Sequence, residues 1–289
     1  MTTNPTLTRL IGGYGLLEAA RWTPEHGLIF SDMNDGGVHR LRPGATDAEV
    51  LIPHRKAIGG LVPHAQGGLV ISGRNLARKV LGGETQSLHE LGEDEQFFND
   101  LTADWRGRVF AGSMPKHGTD GCGRLYMIDL DGSVTTVTED VRIANGFGAS
   151  PDDDLLYQVD SGRYLVWRFA LPAGGPPTGR ELFVDTSEYD GLPDGLAVAA
   201  DGSIWVAIAG GSCVVGWDAA GNRIAEIPVP SALVTSVAFG GQDYDQLFIL
   251  TGTDDEHPHP DGGEVYVMPA PTKGLPSPLA RVRVPLGVT

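Results

Sequence analysis

Apolar positions along this chain fall in short runs, and few recur at helical spacing. Gly27-Leu28-Ile29-Phe30, Gly107-Arg108-Val109-Phe110 and Ser203-Ile204-Trp205-Val206 are typical, each closed by Gly, Pro, Asp or Asn. Short apolar or alternating runs bounded by turn formers are the mark of β-strands. The expected fold class is therefore all-β. The turns that precede an apolar strand also repeat. They end near Gly27, Gly68, Gly107, Asp153, Gly202 and Asp245, at successive spacings of 41, 39, 46, 49 and 43 residues. Four short strands with three turns fill such a period, which is one blade of a β-propeller.

The fifth unit shows its strands most plainly, at 195–199, 203–207, 212–217 and 223–228. The third reads 100–104, 108–112, 124–129 and 133–137. The sixth has three strands, at 236–239, 246–250 and 264–268, before a proline-rich stretch at 269–278. Thr6–Ile11 is expected to supply its fourth strand, closing the ring so that no large edge is left unpaired. Ala280–Val284 is the competing candidate. No linker or charge block divides the chain, so residues 1–289 are expected to form a single six-bladed propeller of four-stranded antiparallel blades.

Composition sharpens this picture in three places. Glycine accounts for 41 of 289 residues, twice the usual share of about 7 %. Six blades of short strands explain the excess, because glycine serves tight turns and close backbone approach. Against 21 Lys and Arg stand 37 Asp and Glu, a formal charge of −16, which argues against nucleic acid or an anionic membrane as partner. No run approaches the roughly 20 apolar residues of a membrane helix, and Met1–Leu10 has no signal-peptide core. The expected protein is soluble and cytoplasmic. Its two cysteines, Cys122 and Cys213, are expected to stay unpaired.

In a propeller the first strand of each blade lines the central channel, so equivalent positions converge on one axis. Counting back eight or nine residues from the six turns gives Glu18, Gly59, Asn99, Asn145, Asp194 and Ser236. Each Asn or Asp alone reads as a turn cap. Two carboxylates and two amides at one phase of the repeat read instead as a metal site. Oxygen donors of this kind suit a hard divalent cation, calcium first. Zinc, manganese or magnesium is the alternative, and the lack of His or Cys at these positions weighs against an imidazole or thiolate site.

Several stretches resemble a known family. Glu18-Ala-Ala-Arg-Trp22, Phe30-Ser-Asp32, Asn99-Asp-Leu-Thr102, Ala144-Asn-Gly146, Leu156-Tyr-Gln-Val-Asp160, Leu192-Pro-Asp-Gly195 and Thr235-Ser-Val-Ala-Phe-Gly240 are similar to the senescence marker protein (regucalcin), gluconolactonase and luciferin-regenerating enzyme family. The resemblance spans nearly the whole chain, in order. It implies a six-bladed propeller, a divalent metal in the channel, and hydrolysis of a small-molecule lactone. It further implies that Glu18, Asn145 and Asp194 ligate the metal, that Asn99 lies beside it against substrate or water, and that Asp194 also serves as base. An amide donor such as Asn99 is expected to stabilise the oxyanion. The same site would also serve isomerisation, dehydration or phosphotriester hydrolysis, and a non-catalytic calcium-binding propeller is the alternative from another class.

The chain departs from the sugar lactonases of that family at two points. Where they carry an arginine two residues before the channel Asn, this chain has Phe97, followed by Phe98. Where regucalcin has an acid after its Gly-Thr-Met, this chain has Gly112-Ser113-Met114 followed by Pro115-Lys116-His117. The expected substrate is thus a lactone or ester less polar than a sugar lactone, bounded by Phe97, Phe98, Ser113, Met114 and His117. Ser113-Met-Pro-Lys116 matches an S-x-x-K pattern but lacks the helix that motif needs. His257 and His259 fall on a loop near the channel mouth and read as solvated.

Overall fold

The computed structural model describes residues 6–116 and 122–284, and these form six four-stranded antiparallel sheets arranged as a six-bladed β-propeller. Blade 1 comprises Leu17–Thr23, Gly27–Asp32, Val38–Leu41 and Glu49–Ile52. Blade 2 comprises Leu61–Pro63, Leu69–Ile71, Asn75–Lys79 and Thr85–Glu90. Blade 3 comprises Glu95–Ala103, Val109–Pro115, Gly123–Ile128 and Val134–Val141. Blade 4 comprises Ala144–Ala149, Leu155–Asp160, Leu165–Ala170 and Thr178–Asp185. Blade 5 comprises Leu192–Val198, Ile204–Ala209, Cys213–Trp217 and Arg223–Pro228. Blade 6 takes Val234–Gly240, Gln246–Thr251 and Gly263–Pro269, and its outer strand is Thr8–Tyr14. Ala280 makes only a single parallel bridge, to His64.

Each blade junction holds its own apolar cluster. The junction of blades 6 and 1, for example, packs Trp22 flat on Phe248 at 5.1 Å between ring centres. Trp205 and Trp217 fill the next junctions round, and Trp105 and Trp167 pack against that of blades 3 and 4. The tryptophans thus serve the side-to-side packing that holds wedge-shaped sheets in a ring. Both cysteines are free, Cys213 buried and Cys122 exposed.

At the axis the inner strands come close enough to demand glycine. A β-carbon at Gly146 would stand 2.5 Å from both the carbonyl oxygen of Asp194 and the amide nitrogen of Leu196. One at Gly60 would lie 2.7 Å from the carbonyl carbon of Asp100. Gly59 and Gly60 also leave blade 2 without side chains at this level. The Arg21 guanidinium of blade 1 reaches past them to donate to Leu101 O of blade 3 at 2.8 Å.

The segment after blade 6 runs across one face of the ring. Gly274 N donates to Tyr244 O, Ser277 Oγ to Trp22 O, Ala280 N to Pro63 O, Arg281 N to Gly107 O and Arg283 N to Leu130 O, all at 2.8–3.0 Å. Between these fastenings Leu275, Pro276, Ser277 and Pro278 share a pocket with Arg21, Thr102, Phe147 and Leu196 of the inner strands. The segment therefore lines the channel at the end that bears the tight turns.

Two stability predictions follow from this packing. Gly60→Ala should cost about 1–3 kcal/mol, because backbone on both sides of the contact has nowhere to move. Arg108 and Asp104 form a fully buried pair at 2.6 Å, and Arg108 also holds Gly175 O and Pro172 O. Arg108→Ala should cost about 3–5 kcal/mol by leaving Asp104 charged and unpaired. Urea unfolding midpoints at fixed pH measure both.

Candidate metal centre in the channel

The channel residues sit on irregular backbone. Register shifts fall between Glu18 and Arg21, Phe98 and Leu101, Ala144 and Phe147, and Pro193 and Leu196. Asn99-Asp100, Asn145-Gly146 and Asp194-Gly195 are thus bulges inside strands, released from pairing with the second strand of their own blade. A bulge bends the strand and re-aims a side chain, which is how these groups turn toward the axis. In blade 1 the same task falls to Ala19, which adopts φ +59° directly after Glu18. That left-handed conformation is uncommon for a residue with a β-carbon.

The structure brings four of the expected residues together. Asn99 Nδ2 donates to Asn145 Oδ1 at 3.0 Å and to Ala144 O at 2.8 Å. Asn145 Nδ2 donates to Ser161 Oγ at 3.1 Å. Glu18 and Asp194 are each 8 % exposed, and Asp194 Oδ1 has no hydrogen-bond partner. Burial, then repulsion from Asp194 and Asp100, holds the Glu18 carboxyl well above its ordinary pKa. Burial, then repulsion from Asp100, does the same to Asp194. Among the described residues neither acid has a basic partner. Arg21, the nearest candidate in sequence, pairs instead with Asp100 at 3.8 Å. Even so, burial pushes Asp100 up to about 6.

An isolated buried carboxylate is costly, and two facing each other are more so unless a cation or a proton intervenes. The orphaned Asp194 oxygen is the observation that fits a metal. The donors converging on it are carboxylate and amide oxygens, the set for a hard divalent cation. Both Asn99 hydrogens are already committed, so its free atom is Oδ1, which faces Gly59. Asn99 therefore offers the channel an acceptor rather than the donor expected of an oxyanion-stabilising amide. Asp100 and Ser161 are neighbours of the site that residue-type reasoning passed over. The dipeptide Asn99-Asp100 was a visible signal for the first; Ser161 carries none in sequence.

The residues expected around the substrate are dispersed. Phe98 is fully buried between blades 2 and 3, its ring 5.7 Å from Tyr126 and 5.8 Å from His89. Ser113 is also buried; it donates to Glu95 and accepts from Arg124 N at 2.9 Å, inside blade 3. Both side chains face the blade interior. Phe97 and Met114 are half-buried cross-strand partners at the rim. His117 lies outside the described residues.

A second acidic group stands on the outer loop of blade 6, where ligand atoms of His259, Asp261 and Glu264 lie within 4.8 Å of one another. Its buried member is already neutralised, since Glu264 pairs with Arg9 and accepts from Tyr266. His257, nearby, is held by Asp254 Oδ1 at 3.1 Å. No helix among the described residues is long and apolar enough to cross a membrane.

Known proteins are similar to this chain in architecture and sequence. The structure superposes on luciferin-regenerating enzyme with a TM-score of 0.87, covering 96 % of this chain and all of that one at 23 % identity, which speaks to the fold alone. A calcium-binding regucalcin of Agrobacterium tumefaciens matches with a TM-score of 0.82 and 27 % identity, over 93 % of this chain and 95 % of its own. A pentonolactonase of Haloferax volcanii is 38 % identical over 256 residues, 86 % of each chain. The model of the SMP-30/gluconolactonase/LRE-like region matches residues 16–253. With that match over most of its length, the chain belongs to the SMP-30/gluconolactonase/LRE-like family, whose named relatives include lactonases.

Proposed function

We propose that this protein hydrolyses a lactone at the open end of its channel, with a divalent cation, calcium foremost, held by Glu18, Asn145 and Asp194. The observation that carries the reading is the unpartnered, buried Asp194 oxygen beside a second buried acid that also lacks a basic partner. A cation bound there would polarise the ester carbonyl and lower the pKa of a water. The protein's own residues have distinct tasks. Asp194 also accepts the proton of the attacking water, through the carboxylate oxygen that the cation does not take. Asn99 Oδ1 is a second acceptor that orients the same water. With the segment 275–278 lining the far end, substrate enters from the end of the channel that bears Phe97 and Met114.

Substrate class follows from that rim. The pentonolactonase relative points to sugar-derived lactones, whereas Phe97 and Met114 offer no hydroxyl reader. A five-carbon lactone satisfies both, since it carries one polar substituent fewer than a gluconolactone. This replaces the expectation of a substrate less polar than a sugar lactone with that of a smaller sugar lactone.

Three measurements test this reading. Asp194→Ala should lower kcat/KM by about 10³-fold or more and remove the calcium-dependent rise in thermal midpoint with it; full activity in that variant sinks the proposal. Across a lactone panel, a pentonolactone should exceed gluconolactone by about tenfold, and Phe97→Arg should narrow the gap; a bare, unhydroxylated lactone faster than both overturns the substrate assignment. Finally, both acids are pushed up in the folded chain, so their charged forms oppose folding. That penalty is absent in acid and sets in as pH rises toward neutrality. In chelator at about pH 7 the Glu18→Gln/Asp194→Asn double variant should be more stable than the native chain, and the advantage should fade toward about pH 4. Equal midpoints at neutral pH would contradict the electrostatic picture.

A further inference from the structure

Four of the six inner strands share a feature at the level of the site. The carbonyl just before the channel position accepts a hydrogen bond from a side chain of the preceding blade. Leu17 O accepts from Thr235 Oγ1, Ile58 O from Ser31 Oγ at 2.6 Å, Ala144 O from Asn99 Nδ2 at 2.8 Å, and Pro193 O from Ser161 Oγ. These bonds run around the ring rather than along a blade, and each fixes where the next channel residue stands.

Ser161 bonds both the Asn145 side chain of its own blade and the residue before Asp194 in the next. A hydroxyl has one hydrogen, and a carbonyl can only accept, so the Ser161 hydrogen goes to Pro193 O. The Asn145 amide must then meet Ser161 with its N–H end, as Nδ2 does at 3.1 Å. Its Oδ1 is thereby turned to the other side, where Asn99 Nδ2 meets it at 3.0 Å. One hydroxyl thus selects the face of the Asn145 amide and tethers the residue before Asp194. Ser161 is itself held firmly. It is 1 % exposed, and its N–H donates to Ile143 O at 3.0 Å. The preceding Asp160, fully buried, accepts from Ile143 N at 3.1 Å and pairs with Arg163 at 2.6 Å.

We propose that Ser161 is a positioning residue for the metal centre, orienting the Asn145 oxygen and setting its spacing to Asp194. This rests on the metal reading above and adds to it a residue that contacts neither metal nor substrate. The test is calcium titration of the full chain, followed by heat and by thermal midpoint, with Ser72→Ala as control. Ser72 is a buried hydroxyl that accepts from Gly59 N and Gly60 N in a blade that offers no ligand. Ser161→Ala should weaken calcium binding about 10- to 100-fold, the usual effect of losing a group that orients a ligand. Ser161→Thr should restore most of it, and Ser72→Ala should lower the midpoint in chelator while leaving affinity near native. Should the alanine variant not fold, Ser161→Cys keeps the volume with a poor hydrogen-bonding partner and is read the same way. Equal calcium affinity in Ser161→Ala and Ser72→Ala overturns the positioning role alone. A native chain that binds no calcium, manganese or zinc overturns the metal reading, and this proposal with it.

Discussion

Six inner strands have to share one axis, and most of what is distinctive in this molecule follows from that crowding. Where they meet, side chains are either removed or forced to converge. Gly60, Gly146 and Gly195 take the first course, each facing the backbone of the next blade. Glu18, Asn99, Asn145 and Asp194 take the second, and two of these are acids with no basic partner in reach among the described residues. The same closeness that forbids a β-carbon brings like charges together. A ring that tolerates this at its centre has to be held from outside, and the apolar clusters at all six junctions do so.

Much of the ring was legible in the chain because strand alternation and turn residues are local signals. The units at 203–207 and 223–228 lie within a residue or two of the strands Ile204–Ala209 and Arg223–Pro228. The inner strands are longer than the local pattern predicts. Asn99-Asp100 and Asp194-Gly195 look like turns, which predicts strands from residues 100 and 195, whereas the strands begin at Glu95 and Leu192. The dipeptides are bulges, and a bulge has turn chemistry inside a strand. That local ambiguity is also what made the channel residues visible, since turn-like residues recurring at one phase were the clue to the site.

The periphery of the site was less legible, for a different reason. Phe97 and Phe98 are adjacent and chemically alike, yet pairing with opposite surroundings puts one at the rim and the other in the core between blades 2 and 3. Composition cannot separate them; only register can. Ser161 was invisible because its role depends on Pro193 and Asn145, which lie 32 and 16 residues away in sequence. Asn99 shows a third limit. Its residue type allows a donor or an acceptor to face the channel, and the neighbouring Ala144 carbonyl decides which.

On the reading proposed above, the segment from Gly274 to Arg283 leaves the channel one working mouth. Reactions that split a molecule in two have to release both fragments through such a mouth in turn. Opening a cyclic ester does not. Water adds, the ring parts, and acid and alcohol remain joined in one product that leaves by the route its precursor entered. A single working mouth and an intramolecular ester are, in that sense, matched in topology as well as in chemistry.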